Sequence, residues 1–123
     1  MNILYLIVGG ILGTLARYFV SGGVYRSLGI NFPYGTFVVN LLGCFIIGFF
    51  MALADKKFLL DTSLKLFLMA GFCGAFTTFS TFMMETDNLI RDGEFIKAFL
   101  NIFLSVLFGF VLYRCGVFLA EIL

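Results

Sequence analysis

The 123-residue chain is 62% hydrophobic and only 12% charged, with 18 Phe and 5 Tyr and a formal net charge of +1. Ordinary soluble domains are about 45–50% apolar and about 25% charged, and a sphere of this size cannot hide so many large apolar side chains from water. A soluble globular domain, a disordered tail and a disulfide-stapled secreted module are excluded, and with no basic stripe to neutralise phosphates no nucleic-acid partner is expected.

Charges mark where this chain meets water. The first 16 residues carry none, and Arg17 follows; Ser27 to Ala54 gives 28 uncharged residues, Leu66 to Met84 gives 19, and Ala98 to Tyr113 gives 16. A helix that crosses a bilayer needs about 20 mainly apolar residues at about 1.5 Å of rise each. Four spans fit, near 2–21, 33–54, 63–89 and 96–120, and the short polar connections leave no room for a soluble domain. The expected fold is all-α: a single four-transmembrane-helix domain over 1–123, a multi-pass protein of the cell membrane.

The first span holds Gly9-Gly10-x-x-Gly13, a G-x-x-x-G spacing that lets a neighbouring helix approach closely. It lacks the basic n-region and the A-x-A-like site of a secretory leader, so it is read as a retained span. Arg17, near the end of this span, has two readings. It snorkels to the headgroups, or it stands as a fixed positive charge at a pore mouth and attracts anions. Ser21-Gly22-Gly23 weakens the end of the helix.

The second span opens after Asn31-Phe32-Pro33, a polar cap followed by a proline suited to a first helical turn. About two turns in lies Asn40. A side-chain amide at that depth needs a partner, either as glue between helices or as a donor to an anion. Asp55-Lys56-Lys57 closes the helix.

Asp61-Thr62-Ser63 offers N-caps for the third span. Residues 71–82 then pack two glycines, four hydroxyls and four phenylalanines into 12 positions. Glycine and successive hydroxyl residues are poor helix formers, so this helix is expected to break near mid-membrane. Broken backbone at that depth survives only inside protein or beside a water-filled cavity. Carbonyls exposed there can hold a small cation, and half-helix N-termini favour an anion.

Phe79 and Phe82 are three apart and share one helix face. They are a packing pair, or their positive ring edges solvate an anion without formal charge. Ser80 and Thr81 add hydroxyl donors beside them. Glu85, close to Asp87, is expected at the membrane interface, with proton coupling as its functional alternative. After the turn Arg91-Asp92-Gly93-Glu94, the fourth span carries Asn101 and Ser105 four apart on one face, with Gly109 a turn further on. That is a short polar stripe, along a path or toward a neighbouring helix.

With four spans, Lys56, Lys57, Lys65 and Arg114 fall on one side of the membrane and Arg17, Arg26, Arg91 and Lys97 on the other. Lys/Arg excess in cytoplasmic loops normally sets orientation, and here it is close to zero. Such a chain can insert either way up, and two opposite copies can pack as an antiparallel dimer; the alternative is that a weak bias or a partner still selects one orientation. Histidine is absent, which removes the commonest general base and zinc ligand. Cys44, Cys73 and Cys115 are far apart and form no C-x-x-C pair, so they are read as small buried hydrophobes. An enzyme is not expected.

Three blocks in order resemble the Fluc (CrcB) family of fluoride channels. They are Gly9-Gly10-x-x-Gly13-x-x-x-Arg17-Tyr18, Pro33-x-Gly35-Thr36-x-x-x-Asn40-x-x-Gly43 and Gly71-x-Cys73-Gly74-x-x-Thr77-Thr78-Phe79-Ser80-Thr81-Phe82. The resemblance covers essentially the whole chain. The first block is common in membrane helices; the third joined to the second at this spacing is highly specific.

The resemblance implies a dual-topology antiparallel homodimer with two pores that conduct fluoride passively. It makes Phe79 and Phe82 the ring-edge residues of the pores and Asn40 a pore-side amide, with Ser80, Thr81, Ser105 and Asn101 in a polar track. Arg17 would sit at the vestibule. The backbone carbonyls of Gly74 and Thr77 from both subunits would hold a central, non-permeating Na+. The fourth span departs from the pattern: Asn101 stands where relatives often carry Tyr, and Gly109 where a further hydroxyl can occur.

Two rivals remain. A proton-coupled exporter of the small multidrug resistance type also has four spans and dual topology, but it needs a membrane-embedded carboxylate. The first span has no Asp or Glu, and the chain has no Trp to cradle an aromatic cation. The other rival is an accessory membrane subunit without transport of its own. The chain offers no nucleotide-binding loop of the G-x-x-x-x-G-K-[ST] kind.

Overall fold

The computed structural model describes residues 2–57 and 61–123; Met1 and the side chains of Lys56 and Lys57 lie outside what is described, so the placement of those two charges does too. Among the described residues, four helical stretches are long and apolar enough to cross a membrane, Asn2–Leu28, Tyr34–Asp55, Thr62–Arg91 and Phe95–Ile122. The molecule is a multi-pass membrane protein. Its elements are α1 (Asn2–Leu28), α2 (Tyr34–Lys57), α3 (Thr62–Lys65), a π-helical segment (Leu66–Cys73), α4 (Gly74–Phe76), α5 (Ser80–Arg91) and α6 (Phe95–Ile122). The pieces from α3 to α5 together make the third span.

The sequence places the end of α1 near residue 21, but the helix runs on to Leu28. Two glycines in a helix cost about 1 kcal/mol each relative to alanine, which ordinary packing overcomes. Ser21 stays within the helix by donating its hydroxyl to the Arg17 carbonyl at 2.6 Å. The stop comes at Gly29, with φ of 91°, whose N–H donates to the Tyr25 carbonyl at 2.8 Å; this is the left-handed cap that glycine adopts without steric cost. As a result Arg17 lies eleven residues before the end of α1, well inside the candidate membrane span and not near its end.

The other connections follow the local chemistry of their residues. Asp61 caps α3 through a 2.8 Å bond from the Leu64 N–H, a contribution of about 1 kcal/mol. At the turn into α6, the Gly93 N–H donates to the Ile90 carbonyl and the Glu94 N–H to the Leu89 carbonyl. That pair of bonds, with Gly93 at φ 79°, satisfies the last carbonyls of α5 in a Schellman arrangement.

Packing is backbone-close, as expected where lipid supplies no hydrophobic drive between helices. The two most extensive contacts are α2 against α6 and α1 against the π-helical segment. A small core of Ala52, Val117 and Ala120, flanked by Phe49, Leu53 and Tyr113, joins α2 to α6. A Cβ at Gly116 would strike the Phe45 carbonyl and come within 2.9 Å of the Phe49 nitrogen. Gly116→Val is therefore expected to force α6 off α2 and destabilise the fold by about 1–3 kcal/mol, read as a lower midpoint of thermal unfolding in detergent. Most large apolar side chains point outward, among them Ile3, Phe19, Phe99 and Phe110, as suits a surface that faces acyl chains.

Candidate functional site

The third span is interrupted where its sequence is richest in hydroxyls. After α4 the backbone of Thr77 swings to an extended conformation (φ −93°, ψ 160°), and helix resumes only at Ser80. Side chains from three directions hold the gap. Thr77 Oγ1 donates to the Cys73 carbonyl at 2.9 Å. Arg17 Nε, from α1, donates to the Ala75 carbonyl at 3.0 Å. Asn40, from α2, takes both polar groups of Thr78: its Oδ1 accepts from the Thr78 N–H at 2.8 Å, and its Nδ2 donates to the Thr78 carbonyl at 3.0 Å. An unpaired buried backbone group costs about 1–3 kcal/mol, so one amide that satisfies two of them stabilises a conformation the helix ladder cannot.

Several backbone carbonyls at the gap, those of Gly74 and Thr77 among them, are left without their usual donors. In an α-helix the carbonyl of residue i accepts from the N–H of residue i+4. Cys73 keeps that bond, from Thr77 at 3.1 Å. For Gly74 the donor would be the Thr78 N–H, which goes to Asn40. For Thr77 it would be the Thr81 N–H, which goes to Thr78 Oγ1 at 3.3 Å. Gly74 is moreover exposed, and a Cβ there would meet nothing nearer than the Met69 carbonyl oxygen at 4.0 Å.

Beside the gap lies a groove of about 380 Å³ that brings together Asn40, Gly74, Thr77, Phe79, Phe82 and Ser105 with Gly43, Cys44, Ile47, Met69, Cys73, Thr78 and Val106. Phe79 and Phe82 meet edge to face, with ring centroids 6.0 Å apart and planes at 62°. Phe82 is buried, whereas Phe79 is 73% exposed on the outside of the protomer. Ser105 Oγ is buried and has no hydrogen-bond partner among the described residues. Residues that carry donor groups and aromatic rings thus line one concave surface.

Not every expected residue reaches it. Ser80 is exposed at the first turn of α5, and Thr81 spends its backbone N–H on Thr78; neither lines the groove. Asn101 is 1% exposed and turned elsewhere: its Nδ2 donates to Thr86 Oγ1 at 2.9 Å, and Thr86 Oγ1 in turn donates to the Phe82 carbonyl at 2.8 Å. Buried amides must find partners, and this one ties α6 to α5. Arg17 is committed to the Ala75 carbonyl, at the gap and not at either end of the bundle.

At each end of the bundle lies a cavity, lined mainly by apolar surface at the end near Asp55 and by mixed polar and apolar groups at the end near Glu85. One, of about 350 Å³, is lined by Asp55, Thr62, Lys65 and Met69 among others, and Met69 also belongs to the central groove. The other, of about 450 Å³, is lined by Tyr25, Asn31, Glu85, Asn88, Asp92, Glu94 and Lys97 among others. Glu85 is not simply at the surface. Its Oε2 accepts from the Tyr25 hydroxyl at 2.7 Å, and Oε1 is buried without a partner among the described residues. Cys73 is buried as expected, but Cys44 is only half-buried and Cys115 is exposed on α6.

The family model described as CrcB-like protein, Camphor Resistance (CrcB), matches residues 4–117. The chain belongs to the CrcB family. Relatives in that family include a fluoride-specific ion channel FluC of Dehalococcoides mccartyi, 45% identical over 99% of this chain and 94% of its own length. A protein of the same name from Geotalea uraniireducens is 44% identical over 99% and 98%. One from Geobacter sulfurreducens is 49% identical over 85% of each chain.

Within this CrcB chain, sequence reasoning missed the contact of Tyr25 with Glu85 and of Thr36 with Tyr25 (3.4 Å). Tyr25 lies beyond the glycine pair taken as the helix end, so its place on α1 was invisible. Thr78 was also passed over, though the signal was there: a buried Asn needs both a donor and an acceptor, and a helix gap offers both.

Proposed function

We propose that this protein is a fluoride-selective passive channel of the cell membrane that lets fluoride leave the cytoplasm. The observation that carries the reading is the groove at the interrupted third span, where Ser105, whose buried hydroxyl has no partner among the described residues, meets the Asn40 amide and the Phe79–Phe82 pair. Fluoride is small and strongly hydrated. A dry path must replace its water with oriented donors, and Ser105 Oγ, the second N–H of Asn40 Nδ2 and the positive ring edges of Phe79 and Phe82 are of that kind. A narrow path excludes larger halides. Hydrogen fluoride crosses lipid as a neutral acid and dissociates inside, so a passive leak driven by the membrane potential lowers internal fluoride without nucleotide hydrolysis.

The working unit is two copies of the chain, packed antiparallel. Phe79, Ser80 and Gly74 are exposed on the protomer right at the interruption, and non-helical backbone at membrane depth needs a protein cover. With Arg17 inside the membrane, loop charges remain nearly balanced, which favours insertion in both orientations. The Gly74 and Thr77 carbonyls, deprived of their helical donors, are hard oxygen ligands suited to Na+. The fit is good: two carbonyls from each copy would hold the ion. When bound, Na+ supplies fixed positive charge and a cross-link between the two interrupted spans.

Reconstitution tests this. Liposomes carrying the purified protein are expected to release fluoride rapidly under a gradient, with no dependence on a pH gradient and no comparable chloride release. Efflux that requires a pH gradient points instead to a proton-coupled exporter. No efflux in a folded, inserted protein points to an accessory subunit.

A further inference from the structure

We propose that Asn40 is the positioning residue that opens the cation cradle: by taking the Thr78 N–H onto its own Oδ1, it keeps the Gly74 carbonyl free for a small hard cation. The inference rests on the reading of Gly74 and Thr77 as the Na+-holding pair, and extends it to a residue of another helix. The helical ladder is intact up to the Thr77 N–H, which donates to the Cys73 carbonyl at 3.1 Å. The next step would close Thr78 onto Gly74. At that step the Asn40 carbonyl oxygen, at 2.8 Å, replaces the one from Gly74.

The same amide also holds the Thr78 carbonyl at 3.0 Å, so Thr78 is gripped on both sides and cannot rejoin the ladder while Asn40 keeps both bonds. α2 comes near enough for this because Gly43, three residues on, has no side chain; a Cβ there would collide with the Thr77 methyl group. Asn40 therefore acts in two places. It lines the groove with Phe79, Phe82 and Ser105, and it sets how many carbonyls face the cation. Anion path and cation cradle share one side chain, and their occupancies are linked through it.

The test is a Na+ titration of full-length dimer in detergent, at constant ionic strength with N-methylglucamine as the balancing cation. It is followed by thermal unfolding and by hydrogen exchange at the Thr78 amide. Asn40→Leu removes acceptor and donor at nearly constant volume; Asn40→Asp keeps the acceptor. Asn40→Leu is expected to raise the Na+ concentration at half-effect by about tenfold or more, which corresponds to about 1.4 kcal/mol, while Asn40→Asp stays within about threefold of the unmodified protein. A folded Asn40→Leu dimer with an unchanged Na+ midpoint overturns the proposal. If Asn40→Leu does not fold, a tenfold weaker response in Asn40→Asp, which retains the acceptor, overturns it equally. An unmodified protein with no Na+-specific response overturns the Na+ reading itself, and this inference with it.

Discussion

Replacing Phe82 with isoleucine is expected to cut fluoride efflux from proteoliposomes by about tenfold or more while leaving the dimer intact. The reason is electrostatic. Isoleucine has similar bulk and hydrophobicity but no quadrupole, and a desolvated quadrupole contact is worth on the order of 1–2 kcal/mol, with each 1.4 kcal/mol being about tenfold in rate. Phe82 is buried beside the groove and packed edge to face on Phe79 at 6.0 Å between centroids, so its loss also frees the neighbouring ring. Phe79→Ile is expected to act in the same direction. Packing alone predicts the opposite pattern: the buried Phe82 would cost stability and the exposed Phe79 almost nothing. Measuring efflux and unfolding on both variants separates the two, and unchanged efflux in both would return the pair to a packing role.

Exhaustive replacement of Na+ by a larger cation is expected to weaken the dimer. A ligand at about 100 times its dissociation constant stabilises the state that binds it by about 2.7 kcal/mol, so its withdrawal should raise the dimer dissociation constant by about a hundredfold. The protomer gives a reason for so large an effect. Without a cation, the Gly74 and Thr77 carbonyls, whose helical donors are taken by Asn40 and Thr78, would face one another across the interface as unneutralised dipoles. Dimer fraction measured by crosslinking or by dilution in lipid, with Na+ added back as the control, checks the result. A dimer indifferent to thorough depletion would remove the cradle from the account.

Much of the architecture was legible in the chain because charge is so scarce in it. Four uncharged or nearly uncharged stretches became four helical spans, and the hydroxyl- and glycine-rich run between Gly71 and Phe82 became an interruption at Thr77–Phe79. Pattern reading failed where a residue's role depends on which helix it meets. Arg17 looked terminal only because Gly22-Gly23 looked like a stop; once Gly29 is the cap, the same guanidinium falls level with the gap and reaches Ala75. Asn101 and Ser105 share a face by spacing, yet one is satisfied by Thr86 and the other has no partner among the described residues. That difference lies in the neighbouring helix, and no spacing rule contains it. Asn40 was read as glue or as pore amide; its two bonds to Thr78 are glue between α2 and the third span, and the same side chain lies along the groove.

The eight-residue π-helical segment carries slack of its own. The Gly74 N–H reaches back five residues to the Met69 carbonyl, so each loop of the ladder there holds one residue more than an α-turn. Removing a single amino acid between Leu66 and Cys73 would let the ladder tighten to ordinary α geometry, the shorter turn taking up the missing residue, so that Ala75 and the residues beyond it keep nearly their present faces. The same deletion in the plain α-helix of α1 would turn everything downstream by about 100° around the axis. A one-codon deletion is accordingly expected to be absorbed better inside this stretch than in the helix packed against it.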